Sequence, residues 1–255
     1  KLVDNVSLFG SYAQGLSVPG TDPLYSSFFF VPGTAGVKPA PETTDSFDGG
    51  LRYRSGPVQA MVSGWFTKYN NRLQTVFDVE TNESIFTNIG KVDVYGLDAS
   101  IAFQPVDFFN VYAFGSLNES EIKDNVNRSA TQTVPLAGKK LNDTPNYSFG
   151  VGSQVNLGPV SIGGVAKRTG GRYIYDTNLP VYASAPDYAR LGTDSTYTAP
   201  AIVFGAKKPA YWMVNLDARV NLEFLGFNDK TFFQLNVYNL FDELYVGSGG
   251  GATFQ

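Results

Sequence analysis

Side chains able to do acid–base work sit close together at two places in this chain: Asp78 with Glu80, and Asp242 with Glu243. Either pair has the composition of a general acid/base dyad, in which one carboxyl donates a proton and the other accepts one. No partner group accompanies them. The sequence has no Cys and no His, which removes thiolate nucleophiles, disulfides, Cys/His zinc sites and imidazole bases together. Asn118-Glu-Ser, Asn127-Arg-Ser and Asn142-Asp-Thr match the glycosylation acceptor pattern but read here as loop residues. Gly163-Gly164 and Gly249-Gly-Gly251 lack the following Lys-Ser/Thr of a phosphate loop. The chain is therefore not expected to be an enzyme, and no cofactor or metal is expected.

Composition narrows the remaining classes. Charged residues make up 16% of the 255, aromatics 15%, and there are 27 Gly, yet mean hydropathy is only -0.12. The net charge of -4 and pI near 4.9 argue against a nucleic-acid surface, which carries a basic excess. No run approaches the roughly 18 residues of a spanning helix, because polar residues interrupt the apolar runs at every second position. The opening Lys1-Leu-Val-Asp-Asn-Val leads into a strand without a charged-then-apolar leader, as in a mature segment or a fragment.

That alternation predicts nine long strands. Val6, Leu8, Gly10 and Tyr12 mark the first; Phe47, Gly49, Leu51 and Tyr53 the second; Val58 to Phe66 in steps of two the third. Leu97 to Phe103, Phe109 to Leu117, and Tyr147, Phe149, Val151 and Val155 mark the next three. A seventh begins at Val160, where Gly163-Gly164 is a candidate bulge. Trp212 to Leu222 alternates against Met213, Asn215, Asp217, Arg219 and Asn221 in the eighth, and Thr231 to Gly247 holds the ninth, with Phe233, Leu235, Val237 and Phe241 on one face.

A soluble sandwich also alternates, and a secreted lectin-like sandwich stays open on alternation alone. The connections separate the two. Arg54-Ser-Gly-Pro57, Gln104-Pro-Val-Asp107 and Asn156-Leu-Gly-Pro159 are tight turns, whereas residues 17–44, 70–90, 119–144 and 176–209 form long loops, all at the opposite end. Short turns at one end and long loops at the other describe an outer-membrane barrel. Tyr53, Phe103, Phe108, Phe109, Phe224 and Phe227 then fall near one interface, and Trp65, Tyr69, Tyr173, Tyr211, Trp212 and Tyr245 near the other.

Asn239-Leu-Phe-Asp242 followed by Tyr245-Val-Gly247, Pro41-Glu42 leading into Ser46-Phe-Asp-Gly-Gly-Leu-Arg-Tyr-Arg54, Asn88-Ile-Gly-Lys91 with Tyr95-Gly-Leu-Asp98, Thr144-Pro-Asn-Tyr-Ser-Phe149 and Leu8-Phe-Gly-Ser-Tyr-Ala-Gln-Gly15 together resemble the strand motifs of TonB-dependent outer-membrane receptors, in the family's order. The resemblance implies an all-β fold, a transmembrane antiparallel β-barrel that is incomplete here, with about nine of some 22 strands. Residues 1–255 are expected to be the C-terminal portion of the barrel, without the plug domain, the N-terminal barrel strands or the final strand.

It further implies an outer-membrane location in a Gram-negative bacterium, contact with outer-membrane lipid, and coupling to the TonB complex through the missing N-terminal part. The implied function is active import of a small-molecule substrate such as a ferric siderophore; a passive outer-membrane channel and a receptor for a carbohydrate or vitamin are the alternatives. Receptors of this kind hold their cargo with aromatic and basic residues at the outer mouth. The matching positions are Tyr25 and Phe28 in the first long loop, Arg72 and Lys91 at the second, Arg128 in the third, and Arg172, Tyr173, Tyr188 and Arg190 around the fourth. Arg suits an anionic chelate because its guanidinium makes bidentate, charge-assisted bonds.

Overall fold

In the computed structural model the described residues are 3–18, 40–78, 83–127, 133–184 and 186–247. In chain order the strands are β1 (Val6–Ser17), β2 (Glu42–Ser55), β3 (Val58–Asn70), β4 (Leu73–Asp78), β5 (Glu83–Asn88), β6 (Val92–Val106), β7 (Phe109–Ile122), β8 (Val126–Asn127) and β9 (Thr133–Val134). There follow β10 (Tyr147–Leu157), β11 (Val160–Thr169), β12 (Arg172–Tyr173), β13 (Val181–Tyr182), β14 (Ile202–Phe204), β15 (Lys207–Lys208), β16 (Tyr211–Asn221) and β17 (Phe232–Val237). Nine of them make one sheet in the order β1-β2-β3-β6-β7-β10-β11-β16-β17. Every neighbouring pair is antiparallel, so the wall is a meander with open edges at β1 and β17. The other eight strands pair two by two inside the long connections: β4 with β5, β8 with β9, β12 with β15 and β13 with β14.

Register carries the apolar residues across the wall as continuous rows. Tyr53, Ala60, Ile101, Ala113, Val151, Ala166 and Val214 are successive cross-strand partners, and Val155, Ile162, Ala218 and Leu235 continue a parallel row nearer the turns. A one-residue slip anywhere would turn a whole strand over, so the alternation itself fixes these pairings. Among the described residues nothing covers this face: Leu8 is 65% exposed and Leu117 59%. Such a face is stable only against hydrocarbon.

The upper limit of that face is sharp. Tyr12, Phe47, Phe66 and Tyr95 align in one cross-strand row, and one pair closer to the long loops the same face carries Gln14, Asp45, Lys68, Asp93 and Glu121. An aromatic row followed by a charged row is what an interface between hydrocarbon and water selects. Trp65, Tyr69 and Tyr211, expected in this girdle, instead lie on the opposite, polar face, paired in register with Asp48, Thr44 and Thr169. Closeness to a loop sets the height of a residue; its parity along the strand sets its face.

Two further expectations are corrected. Gly163-Gly164 carries no bulge, since the β10–β11 and β11–β16 registers run through it unshifted. Those glycines make room for cross-strand side chains: a Cβ on Gly163 would lie 2.6 Å from a carboxylate oxygen of Asp217, and one on Gly164 2.8 Å from Leu216. β17 stops at Val237 and does not alternate on to Phe241. Asn239 turns into the left-handed region at φ 52°, its N–H donates to Asn215 Oδ1 at 2.9 Å, and its amide both donates to Glu243 O and accepts from Glu243 N. An Asn tolerates that conformation and closes the turn on itself, which ends the ladder.

The tight turns are two-residue reversals. Gly158 at φ 62° followed by Pro159 joins β10 to β11, and Gly56 at φ 50° followed by Pro57 joins β2 to β3. Positive φ followed by a proline-fixed negative φ fits a type II′ turn, whose twist matches the strands it joins.

Candidate functional site

Among the described residues, the buried aliphatic side chains lie at the long-loop end. Ile89, Val92, Ile122, Val126, Val134, Leu136 and Tyr188 form one cluster, with Tyr69, Val94, Leu141 and Leu179 packed against it. They come from the second, third and fourth long connections and from the strand ends beneath them. Polar side chains fasten the same connections together. Glu42 accepts from Leu73 N at 2.7 Å and pairs with Arg72 at 3.4 Å. Asn88 bonds both the N–H and the carbonyl of Ala40 and donates to Asn71 O. Asn178 bonds the N–H and carbonyl of Lys140 at 2.8 Å each and also reaches Tyr175 O and Asp176 O. Asp176, fully buried, accepts from Asn142 N at 2.6 Å.

Above β11 the chain continues through Gly170-Gly171 into β12, which pairs with β15. Arg172 thereby faces Lys208, and Tyr173 faces Lys207. Asp143, held at φ 49° with its N–H on Tyr173 O at 2.9 Å, accepts from Arg172 Nε at 3.2 Å and from Lys208 Nζ at 2.5 Å. The remaining donors reach past β17: Arg172 Nη2 lies 2.7 Å from Val246 O and Lys208 Nζ 3.1 Å from Gly247 O. Both cations are buried, at 6% and 4% exposure, so their charges are held by a carboxylate and by carbonyls, not by water. Tyr245 stacks on Tyr211 with ring centres 4.4 Å apart, Arg172 lies 5.8 Å from the Tyr211 ring, and the exposed Lys207 ammonium sits 4.5 Å from the Tyr173 ring.

Of the mouth residues expected from the sequence, Arg172 and Tyr173 meet in this cluster. Tyr188 is 8% exposed within the aliphatic cluster. Arg72 packs over Tyr69 and pairs with Glu42. Arg190 pairs with Asp194 at 2.9 Å and stacks on Tyr197 at the tip of the fourth connection. Lys91 donates its backbone N–H to Asp124 at 2.8 Å, and its side chain is exposed. Tyr25, Phe28 and Arg128 lie outside the described residues. The sequence reading missed Asp143, Lys207 and Lys208 altogether and assigned Tyr211 and Tyr245 to a girdle. The available signal was positional: Lys207-Lys208 closes the long connection that Arg172-Tyr173 opens, which is where a hairpin would pair them.

The family model of the TonB dependent receptor-like β-barrel matches residues 1–240. The chain belongs to that family. Its members are outer-membrane receptors and transporters, not enzymes, and the nine-stranded wall is a part of such a barrel. Among solved structures, it is similar to the copper transporter OprC (TM-score 0.65, 17% identity, covering 97% of this chain and 33% of that one). It is also similar to the ferric yersiniabactin uptake receptor FyuA from Yersinia pestis (TM-score 0.61, 16% identity, covering 98% and 33%) and to the ferric citrate transporter FecA in its unliganded form (TM-score 0.63, 14% identity, covering 100% and 34%). At these identities the likeness concerns the fold. No curated protein matched the sequence. The chain spans about a third of the length of the solved TonB-dependent receptors it resembles.

Proposed function

We propose that this TonB-dependent receptor barrel belongs to an importer that takes up a scarce nutrient at the outer membrane of a Gram-negative bacterium, with energy relayed from the TonB complex, and that the nutrient is a ferric siderophore. The observation that carries the cargo class is the cluster at the base of the fourth long connection. Buried Arg172 and Lys208 make the site electropositive, Lys207 offers an exposed ammonium, and Tyr173, Tyr211 and Tyr245 offer aromatic faces and hydroxyls. An anionic, partly aromatic iron chelate uses charge and ring stacking together. Tyr25, Phe28 and Arg128 on the first and third connections, with Lys91, Arg190, Arg72 and Tyr188, complete the proposed mouth either as contacts or as its scaffold. Several of the similar structures import ferric chelates, as the ferric yersiniabactin and ferric citrate receptors do, and this supports the reading.

The test is uptake by a strain lacking the complete receptor and complemented with it, supplied in turn with labelled ferric chelates, copper, a vitamin and oligosaccharides. Restored, TonB-dependent uptake of a ferric chelate is expected, and Lys207→Gln should weaken it about tenfold through one lost charge-assisted contact. Uptake of every ferric chelate without the receptor, with a sugar, vitamin or copper failing, would overturn the cargo. Uptake that persists without TonB would overturn energy coupling in favour of a passive channel.

A further inference from the structure

The polar face of the wall holds two arginines at its turn end that no carboxylate neutralises among the described residues. On β2, Asp48, Gly50, Arg52 and Arg54 share that face by parity, and Arg54 stands beside the turn into β3. Arg52 lies in register between Ser7 and Met61, and Arg54 lies opposite Gln59. The ion pairs that arginines make in the described residues engage Arg72, Arg172 and Arg190, and neither Arg52 nor Arg54. Arg52 instead lies over the Phe9 ring, 4.2 Å from its centre. Stacking uses the flat face of a guanidinium and leaves its N–H edge for an acceptor.

Both arginines border a concavity of about 670 Å³ that extends from β1 to β7. Two glycines of β10 keep it open. Tyr112 faces Gly152 and Phe114 faces Gly150 across the β7–β10 pairing. A Cβ on Gly152 would lie 2.5 Å from the Tyr112 ring, and one on Gly150 2.6 Å from the Phe114 ring, so the rings lie over β10 and do not stand into the space. Ser7 and Ser100 add hydroxyls, and Asp4 also lines the space but pairs with neither arginine. Along β2 the carboxylate of Asp48 lies toward the long loops and the guanidinium groups toward the turn, and along β16 Asp217 and Arg219 repeat that order. An anion travelling down either strand passes a carboxylate first and meets the arginines at the turn end.

We propose that this concavity is a second cargo site, in which Arg52 and Arg54 hold an anionic ferric chelate at the turn end of the barrel on its way out of the mouth and toward the periplasm. Two guanidinium forks two residues apart can take separate oxygens of one chelate, and each makes charge-assisted bonds that an uncharged chelate cannot match. The Tyr112 and Phe114 rings offer a flat floor to its aromatic or apolar part. The site stands at the opposite end of the wall from the cluster around Arg172, so the two are occupied in succession. The inference rests on the reading of this barrel as an importer of a ferric chelate.

The test uses the complete receptor in cells, with labelled ferric citrate, an anionic ferric catecholate and an uncharged ferric hydroxamate as probes. Binding to cells without TonB reads the mouth, and uptake by cells with TonB reads passage through the barrel. The double variant Arg52→Gln, Arg54→Gln should bind an anionic probe at the mouth as the wild type does and take it up about tenfold more slowly. Arg52→Lys with Arg54→Lys should recover part of the rate, since the charge remains without the fork. Wild-type uptake by the Gln variant, or equal losses in mouth binding and uptake, would overturn the proposal. Entry of unrelated solutes through the Gln variant without TonB would show that the arginines hold the plug domain in place, which also overturns it. Import of the hydroxamate alone would overturn the anionic class. A wild-type receptor that restores uptake of no chelate would instead fail the importer reading beneath, and this site with it.

Discussion

The wall and the cap of this molecule solve the hydrophobic problem in opposite directions. In the wall, Leu8, Ile101, Leu117 and Val151 point away from protein and are roughly half or more exposed. In the cap, Ile89, Val92, Ile122, Val134 and Leu136 are completely buried. The same strand can serve both: β7 presents Leu117 outward and, five residues later, ends in Ile122 at the centre of the cap cluster. The wall is organised by backbone ladders and a solvent of hydrocarbon. The cap is organised by side-chain packing, as a soluble protein is. Mutations should therefore obey different rules a few ångströms apart.

The largest expected contrast lies across the wall itself. Val151→Arg places a charge in the middle of the apolar face and should destabilise the folded barrel in lipid by about 2–4 kcal/mol. Gln154→Arg, on the same strand but the opposite face, should cost under about 1 kcal/mol. Refolding into lipid vesicles against denaturant measures both, and similar losses would mean that the faces are wrongly assigned.

Next in size is a lesion confined to the cap. Ile122→Ala removes aliphatic bulk from a fully buried site and should cost about 2–4 kcal/mol there. The expected result is rapid proteolysis within the third and fourth connections while the wall keeps its resistance to unfolding in detergent. Loss of the wall along with the cap would show that the two are one cooperative unit. Asn178→Ala should act in the same direction more weakly, by roughly 1–3 kcal/mol, because it strips the shared amide from Lys140 and from two carbonyls of its own turn. Cargo affinity should fall in both variants if the cap carries Tyr173 and Lys207 in place.

The wall was legible in the sequence and the cap was not, for a physical reason. A strand's two faces repeat every second residue, so Leu97-Asp98-Ala99-Ser100-Ile101 announces both the strand and its orientation. Nine wall strands are expected and nine form among the described residues. The cap has no period. Ile122 and Tyr188 meet because two separate connections fold over each other, and nothing in either local stretch records it. The same limit governs the candidate site: Arg172 and Tyr173 are visible as a basic and aromatic pair, but Asp143 joins them only through the β12–β15 pairing. Where parity was set aside in favour of nearness to a loop, at Trp65, Tyr69 and Tyr211, the face came out wrong. Where alternation was extended through Asn239, a residue suited to left-handed turns, the strand came out too long.

The smallest expected effect separates the cap's tip from its base. At the tip, the Thr196 hydroxyl and N–H donate to Asp194 Oδ1 at 2.6 and 2.8 Å, and Arg190 donates to Oδ2 at 2.9 Å. These bonds, the Thr196 hydroxyl first, hold the Asp194 carboxyl below its ordinary value of 3.8. A carboxyl lowered in the folded state contributes order that is fully present above the ordinary value and is lost as pH falls through the lowered one. Hydrogen exchange across residues 187–197 should therefore be slow at neutral pH and quicken below about pH 4, whereas the cluster around Ile122 is built of aliphatic and tyrosine side chains with no carboxyl of its own and should hold. Asp194→Asn should exchange quickly at both pH values. Equal acid sensitivity at the tip and at Ile122 would mean that the cap opens as a whole, and the separate role of the Arg190–Asp194 turn would fall.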